Sequence, residues 1–307
     1  MNRFLPEGCL SRRQENKAAV STVSALREAC ARETVLEARA TKCDREHNLR
    51  VELGPMEGVI PRSEGALGIE DGSVRDIALI SRVGKPVCFV VTGIRRNDAG
   101  KYYALLSRRR AQEKCRDEYL NLLYPGDVIP ARVSHMEAFG SFCDIGAGVN
   151  ALLPIDAISV SRIPHPSARF VPGQDIRAVV RSRDALGRIT LTHKELLGTW
   201  EQNAARFKVG ETVPGIVRSV ENYGVFVELA PNLAGLAEYA DGLSPGQSAA
   251  VYIKSINPER MKVKLVIVDV FAEKAGPAPA EYFFEGAHMR EFVYAPEACD
   301  KKAATVF

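Results

Sequence analysis

The chain repeats itself, and the repeat limits its architecture more than any other feature. Tyr223-Gly224-Val225-Phe226-Val227-Glu228-Leu229 has a copy in Phe139-Gly140-Ser141-Phe142-Cys143-Asp144-Ile145, with Gly224 standing 84 residues after Gly140. The spacing holds without a gap back to Gly210 and Gly126, so Gly126-Asp127-Val128-Ile129-Pro130 matches Gly210-Glu211-Thr212-Val213-Pro214. Self-similarity at a fixed spacing marks tandem structural units. Each copy reads as an alternating run, an aromatic-Gly-x-Phe corner and a second alternating run: a strand, a bend and a strand.

Strand side chains alternate between faces. Val225, Val227 and Leu229 therefore share one face, with Cys143 and Ile145 in the copy, and that apolar face is the expected core. Phe226 with Glu228, and Phe142 with Asp144, are left on the solvent side. One such Phe packs under a loop as readily as it stands free, since single exposed apolar residues are common. Two copies, each with a second aromatic three residues earlier (Phe139, Tyr223), favour a platform on which unpaired bases stack.

Length and composition set the bounds. At 307 residues and 46% apolar, the chain is long enough for two or three domains. A net charge of +3 and a pI of about 8.4 are too mild to coat duplex nucleic acid by charge alone. They suit local basic patches that follow a single strand. The seven cysteines are odd in number, without CxxC spacing or paired histidines, which argues against a zinc site or a disulfide framework and for a reducing cytosol. No apolar run approaches a membrane span and no signal-peptide core is present, so a cytoplasmic protein is expected.

In order, residues 1–33 read as an N-terminal helical segment that packs on the first domain. Residues 34–110 hold five short strands with turns between them, the pattern of a small barrel. Laying Gly54 on Gly146 sets His47 against Phe139 and Arg50 against Phe142, so this first unit lacks both aromatics. A helical linker (111–124), a second barrel (125–193), a second helical linker with the only tryptophan, Trp200 (194–208), and a third barrel (209–269) follow. The second barrel contains a long excursion from Ile155 to Val171. The tail, 270–307, carries Tyr282, Phe283, Phe284, Phe292 and Tyr294, which dock as an extra strand or meet a partner.

The recurring elements are Gly-Asp/Glu-x-Val/Ile, Phe/Tyr-Gly-x-Phe-x-Asp/Glu, Pro-Gly-Gln (172–174, 245–247) and Asp184-Ala185-Leu186-Gly187-Arg188-Ile189-Thr190-Leu191. Together they resemble the S1 RNA-binding domain, a member of the OB-fold. The Trp200 helix looks like the linkers between such domains in bacterial ribosomal S1 proteins. Glu57-Gly58-Val59-Ile60-Pro61-Arg62-Ser63-Glu64 is similar to the divergent N-terminal repeats that anchor those proteins to the small subunit. The likeness runs over roughly 34–269, is specific in repeats two and three and weaker in repeat one, and the whole resembles the short three-repeat S1-like proteins of Gram-positive anaerobes.

The resemblance implies a mainly β chain of three tandem five-stranded OB-fold (S1-type) barrels joined by short helices, with an N-terminal helix and a partly irregular tail. It implies single-stranded RNA, above all mRNA in translation, and the 30S subunit as partners, with no cofactor, metal, small-molecule substrate or membrane. The family's RNA surface falls on Phe139, Phe142, Asp184 and Arg188 in repeat two. In repeat three it falls on Tyr223, Phe226, Lys262 and, displaced by one residue, Asn257. Where the family often has a third-strand histidine, this chain has Pro154 and Glu238. Arg181 and Lys254, with Arg183, Arg260 and Lys264, are phosphate contacts or an ordinary solvated face. Asp184 reads as a turn-former or as an acceptor for a base amine or a 2′-hydroxyl, and Arg188 as a contact to RNA or as its ion-pair partner.

No enzyme is legible. Gly84-Lys85-Pro86 lacks the glycine spacing of a phosphate loop, the five histidines are scattered, and no Ser or Cys sits in a nucleophile elbow. Two functions stay open: a ribosome-associated holder of mRNA, and an adaptor making protein contacts with RNA-degradation or transcription machinery.

Overall fold

The computed structural model describes residues 4–274 and 276–307, which form two compact units: Met1–Leu123 with Asp144–Asn150, and Tyr124–Cys143 with Ala151–Phe307. In the first, α1 (Gln14–Ala19) and α2 (Val23–Ala31) precede a closed barrel of β1 (Val35–Cys43), β2 (Leu49–Glu52), β3 (Glu57–Ile60), β4 (Pro86–Arg96) and β5 (Tyr102–Ser107), ordered β1-β2-β3-β5-β4. A short helix, α3 (Ile77–Ile80), lies between β3 and β4. Thr22 caps α2 by accepting from the Ala25 N–H, and Leu26 and Ala29 enter the barrel core beside Leu36, Leu49, Val87, Phe89 and Leu106. α2 thus packs its apolar side against the barrel core. Ser107 ends β5 and caps α4 (Arg108–Glu118) in the same manner.

The second barrel consists of β6 (Val128–Glu137), β7 (Gly140–Asp144), β8 (Asn150–Pro154), β9 (Asp175–Arg183) and β10 (Ile189–Thr192). The third consists of β11 (Thr212–Glu221), β12 (Gly224–Ala230), β13 (Leu233–Ala237), β14 (Gln247–Asn257) and β15 (Lys262–Lys274). All three barrels share one strand order, antiparallel except for the closing pair of third and fifth strands, as in Leu236↔Lys264 and Thr190↔Leu152. β15 runs to Lys274, beyond the boundary expected at 269.

The second linker is not one helix. A 3₁₀ turn over Lys194–Leu197 breaks at Gly198, whose φ of +85° no side-chain-bearing residue adopts without strain. The chain restarts at α5 (Trp200–Ala204) under a Thr199/Gln202 capping box. Trp200 is buried among the core residues of the third barrel. The aromatic tail also folds back. β16 (Glu291–Val293) and β17 (Ala304–Val306) form a separate hairpin, while Tyr282, Phe284, Phe292 and Phe307 pack around Val179, Leu196 and Met289.

Candidate nucleic-acid interface

The aromatic-Gly-x-Phe corner needs its glycine for a packing reason. A Cβ on Gly140 would lie 2.5 Å from the carbonyl oxygen of Leu153, and one on Gly224 2.5 Å from that of Ala237. The third strand of each barrel runs directly beneath the corner, and the flanking aromatics are lifted onto its outer surface. Phe139 and Tyr223 are 57% and 65% exposed, while Phe142 and Phe226 are half-buried. The two pairs share one geometry: Phe139–Phe142 centroids are 6.0 Å apart at 88°, and Tyr223–Phe226 centroids 6.2 Å apart at 86°. Edge-to-face packing of this kind stiffens both rings.

Around each pair lies a graded surface. Phe226, Leu236 and Lys264 are successive cross-strand neighbours on β12, β13 and β15, with Leu236 exposed and Lys262 two residues before Lys264 on the same face. In the second barrel His135 on β6 stacks on Phe142, centroids 6.4 Å apart at 16°, and its Nε2 lies 2.6 Å from a Glu137 carboxylate oxygen. Neither Leu236 nor His135 was found from sequence. Only the strand register, which places Ser219 opposite Phe226 and the equivalent His135 beside Phe142, reveals them.

The loop residues act first on their own backbone. Asp184 accepts from the N–H groups of Leu186 and Arg188 and from Arg188 Nε at 2.7 Å, and these contacts, the Arg188 side chain foremost, hold its carboxyl below the usual range. Asn257 accepts from the Arg260 N–H at 2.9 Å, ahead of Met261 at φ +47°. Both are turn-formers at the mouth of the face, and Arg188, Arg181, Lys254 and Lys262 are exposed beside them. In the first barrel Arg50 likewise pairs with Asp44 and Glu57, and His47 lies 3.6 Å from Asp76, with no aromatic pair beside them.

The carboxylates expected on the solvent side are buried, which corrects the sequence reading. Alternation does put Glu228 on the face of Phe226, but chain from elsewhere covers it. Glu228 is 4% exposed, bound to Arg218 at 2.7 and 2.9 Å and to Arg169 at 2.5 Å. Asp144 accepts from the backbone N–H groups of Glu7, Gly146 and Gly148. Burial and the neighbouring Glu7 push Asp144 up to about 7, while Glu7, despite its own burial, is held low by Arg108 and Arg82.

A family model described as S1 RNA binding domain matches residues 31–100 and 123–194, the first and second barrels. The first repeat, weakest by motif, is thus inside the match, and the third barrel, outside it, has the same strand order. The small ribosomal subunit protein bS1 of Staphylococcus aureus (strain COL) is 30% identical over 276 residues, covering 84% of this chain and 67% of that protein. The chain belongs to the bS1 family. Among its other relatives, bS1 of Rhizobium meliloti (strain 1021) is 26% identical over 230 residues, covering 70% of this chain and 39% of that one. A bS1 homolog of Bacillus cereus (strain ATCC 10987 / NRS 248) is 31% identical over 169 residues, with 51% and 44% covered. The bS1 relatives are ribosomal proteins, and the S1 domain is an RNA-binding module, so this chain is an RNA-binding protein of the translation apparatus. No helix among its described residues is long and apolar enough to cross a membrane.

Proposed function

We propose that this bS1-family chain holds single-stranded mRNA at the small ribosomal subunit in the cytoplasm, gripping with the second and third barrels and anchoring through the first. It acts as a binding protein rather than an enzyme. The observation that carries this is the pair of exposed aromatic corners, Phe139/Phe142 and Tyr223/Phe226, with matching geometry on equivalent strands. Such rings stack on any base, at about 1–3 kcal/mol per base, and the exposed Arg181, Arg188, Lys254 and Lys262 supply phosphate contacts. The first barrel, with His47 and Arg50 in place of an aromatic pair, suits a surface that does not grip RNA. The adaptor reading drew on the degenerate first repeat and on the aromatic tail, and of these the tail is packed within the second unit. Two measurements test the proposal. The tagged protein should sediment with 30S subunits at low salt, and unstructured RNA should bind more tightly than a duplex of equal length at one salt concentration. Absence from the 30S region, or equal affinity for both RNAs, would overturn it.

A further inference from the structure

A cavity of about 410 Å³ opens where the Ile155–Val171 excursion, the second linker, the third barrel and the start of the tail meet, all within the second unit. Leu197, Ile216, Leu229 and Phe283 form its apolar wall. None of the four corner aromatics lines it, so it is separate from the RNA face.

Beside it two guanidiniums share one carboxylate. Arg218 binds Glu228 through Nε and Nη2 at 2.7 and 2.9 Å, and Arg169 binds it through Nη2 at 2.5 Å. The side chains of Arg218, Glu228 and Arg169 are only 8%, 4% and 10% exposed. Arg218 and Glu228 already make a complete two-bond pair, so the charge of Arg169 is in excess. The other charged residues on the wall, among those described, are Arg206 and Glu281, which pair with each other at 2.9 Å and leave that excess standing. Burial lowers Arg169 below the usual arginine range, Glu228 opposes this, and Arg218 adds to it. A buried charge without a counter-ion is costly.

Three polar groups on the wall also lack a hydrogen-bond partner among the described residues. Arg169 donates through Nε to Ser159 Oγ at 3.3 Å and through Nη2 to Glu228, which leaves Nη1 open. The Ser248 hydroxyl makes no hydrogen bond. Asn203, 1% exposed, gives its amide hydrogens to the carbonyls of Leu197 and Thr199 at 2.9 Å each. Two carbonyl partners fix the orientation of that amide and leave Oδ1 as an unused acceptor. Buried polar groups are nearly always satisfied, so the wall is short of an anion and of an N–H or O–H donor.

We infer that this cavity binds a small phosphorylated heterocycle of nucleoside-monophosphate size, its phosphate on Arg169 Nη1 and Ser248, its ring against the apolar wall, and a ring amine on Asn203 Oδ1. The volume lies in the range that such ligands fill. The phosphate supplies the counter-charge that Arg169 lacks. Because the excursion, the linker and the tail all contribute to the wall, an occupied site stabilises their packing on the third barrel.

The test is isothermal titration of the full chain with AMP, inorganic phosphate and adenosine. One AMP should bind per chain with a Kd below about 1 mM, and the other two probes, each making part of the contacts, should bind more weakly. AMP binding should persist when Phe139, Phe142, Tyr223 and Phe226 are all replaced by Ala, since none of them lines the cavity. Arg169→Gln should weaken AMP about tenfold or more, because a charge-assisted hydrogen bond is lost. That variant leaves Glu228 paired with Arg218, so no buried charge is stranded. Should it nevertheless fail to fold, Ser248→Phe, at a half-buried position outside the barrel core, fills the cavity and should abolish binding. No AMP binding by wild type up to about 10 mM, loss of binding in the four-aromatic variant, or undiminished affinity in whichever of Arg169→Gln and Ser248→Phe folds would overturn the inference.

Discussion

Replacing Phe139 and Phe142 together by Ala is the sharpest probe of the second barrel's grip. Phe139 is more than half exposed and contributes little to the core, and Phe142 is half-buried on the outer side of β7. The barrel's inner face, with Val133, Cys143 and Leu153 fully buried, is untouched. Two lost stacking contacts, discounted because edge-to-face partners act together, cost about 2–4 kcal/mol of RNA affinity. That is a loss of roughly 30- to 800-fold in Kd. The slope of affinity against salt should stay constant, since no phosphate contact is removed. The control is His47→Ala with Arg50→Ala in the first barrel, where the side chains already face Asp44, Glu57 and Asp76. It should cost far less and flatten the slope slightly at most. The assay is fluorescence anisotropy with unstructured RNA at several salt concentrations, with circular dichroism confirming the fold of each variant. A larger loss from the His47/Arg50 variant than from the Phe139/Phe142 variant would refute the division into anchor and grip.

His135→Ala should weaken RNA binding several-fold, and His135→Phe should restore it, because the ring stacked on Phe142 extends the platform; titration of both variants decides this. Gly140→Ala should lower stability by about 1–3 kcal/mol, read by urea unfolding, as its methyl group meets the Leu153 carbonyl. Burial lowers His193 from 6.5 to about 4, so the unfolded chain binds the proton first and stability falls as pH drops from 6.5 towards 4. The loss amounts to about 3 kcal/mol in the second unit, and His193→Gln should flatten that acid limb in thermal melts. Asp144 works the other way in the first unit. Raised from 3.8 to about 7, it contributes stability that is present below pH 4 and lost as pH rises through 7, while the lowered Glu7 beside it acts in the opposite sense, so Asp144→Asn should remove the loss between pH 4 and 7 in hydrogen exchange of the first unit.

The sequence by itself determined the three barrels and the position of both aromatic corners. Alternation with a period of two settles which side chains face inward. Phe142 and Phe226 were therefore legible as outward-facing before any coordinates, whereas the strand that passes beneath Gly140 and Gly224 was not. The tertiary structure alone decided what covers the outward face. Glu228 and Asp144 lie on the same side as the displayed phenylalanines, yet both are buried, because Arg169 and the Glu7 segment arrive from distant parts of the chain. Local pattern encodes direction, whereas burial depends on contacts between residues far apart in sequence, such as Arg169 and Glu228, separated by 59 positions. The same reason explains His135, brought beside Phe142 only by strand register, and the tail, whose aromatics resemble a free docking motif until Val179 and Leu196 are seen beneath them.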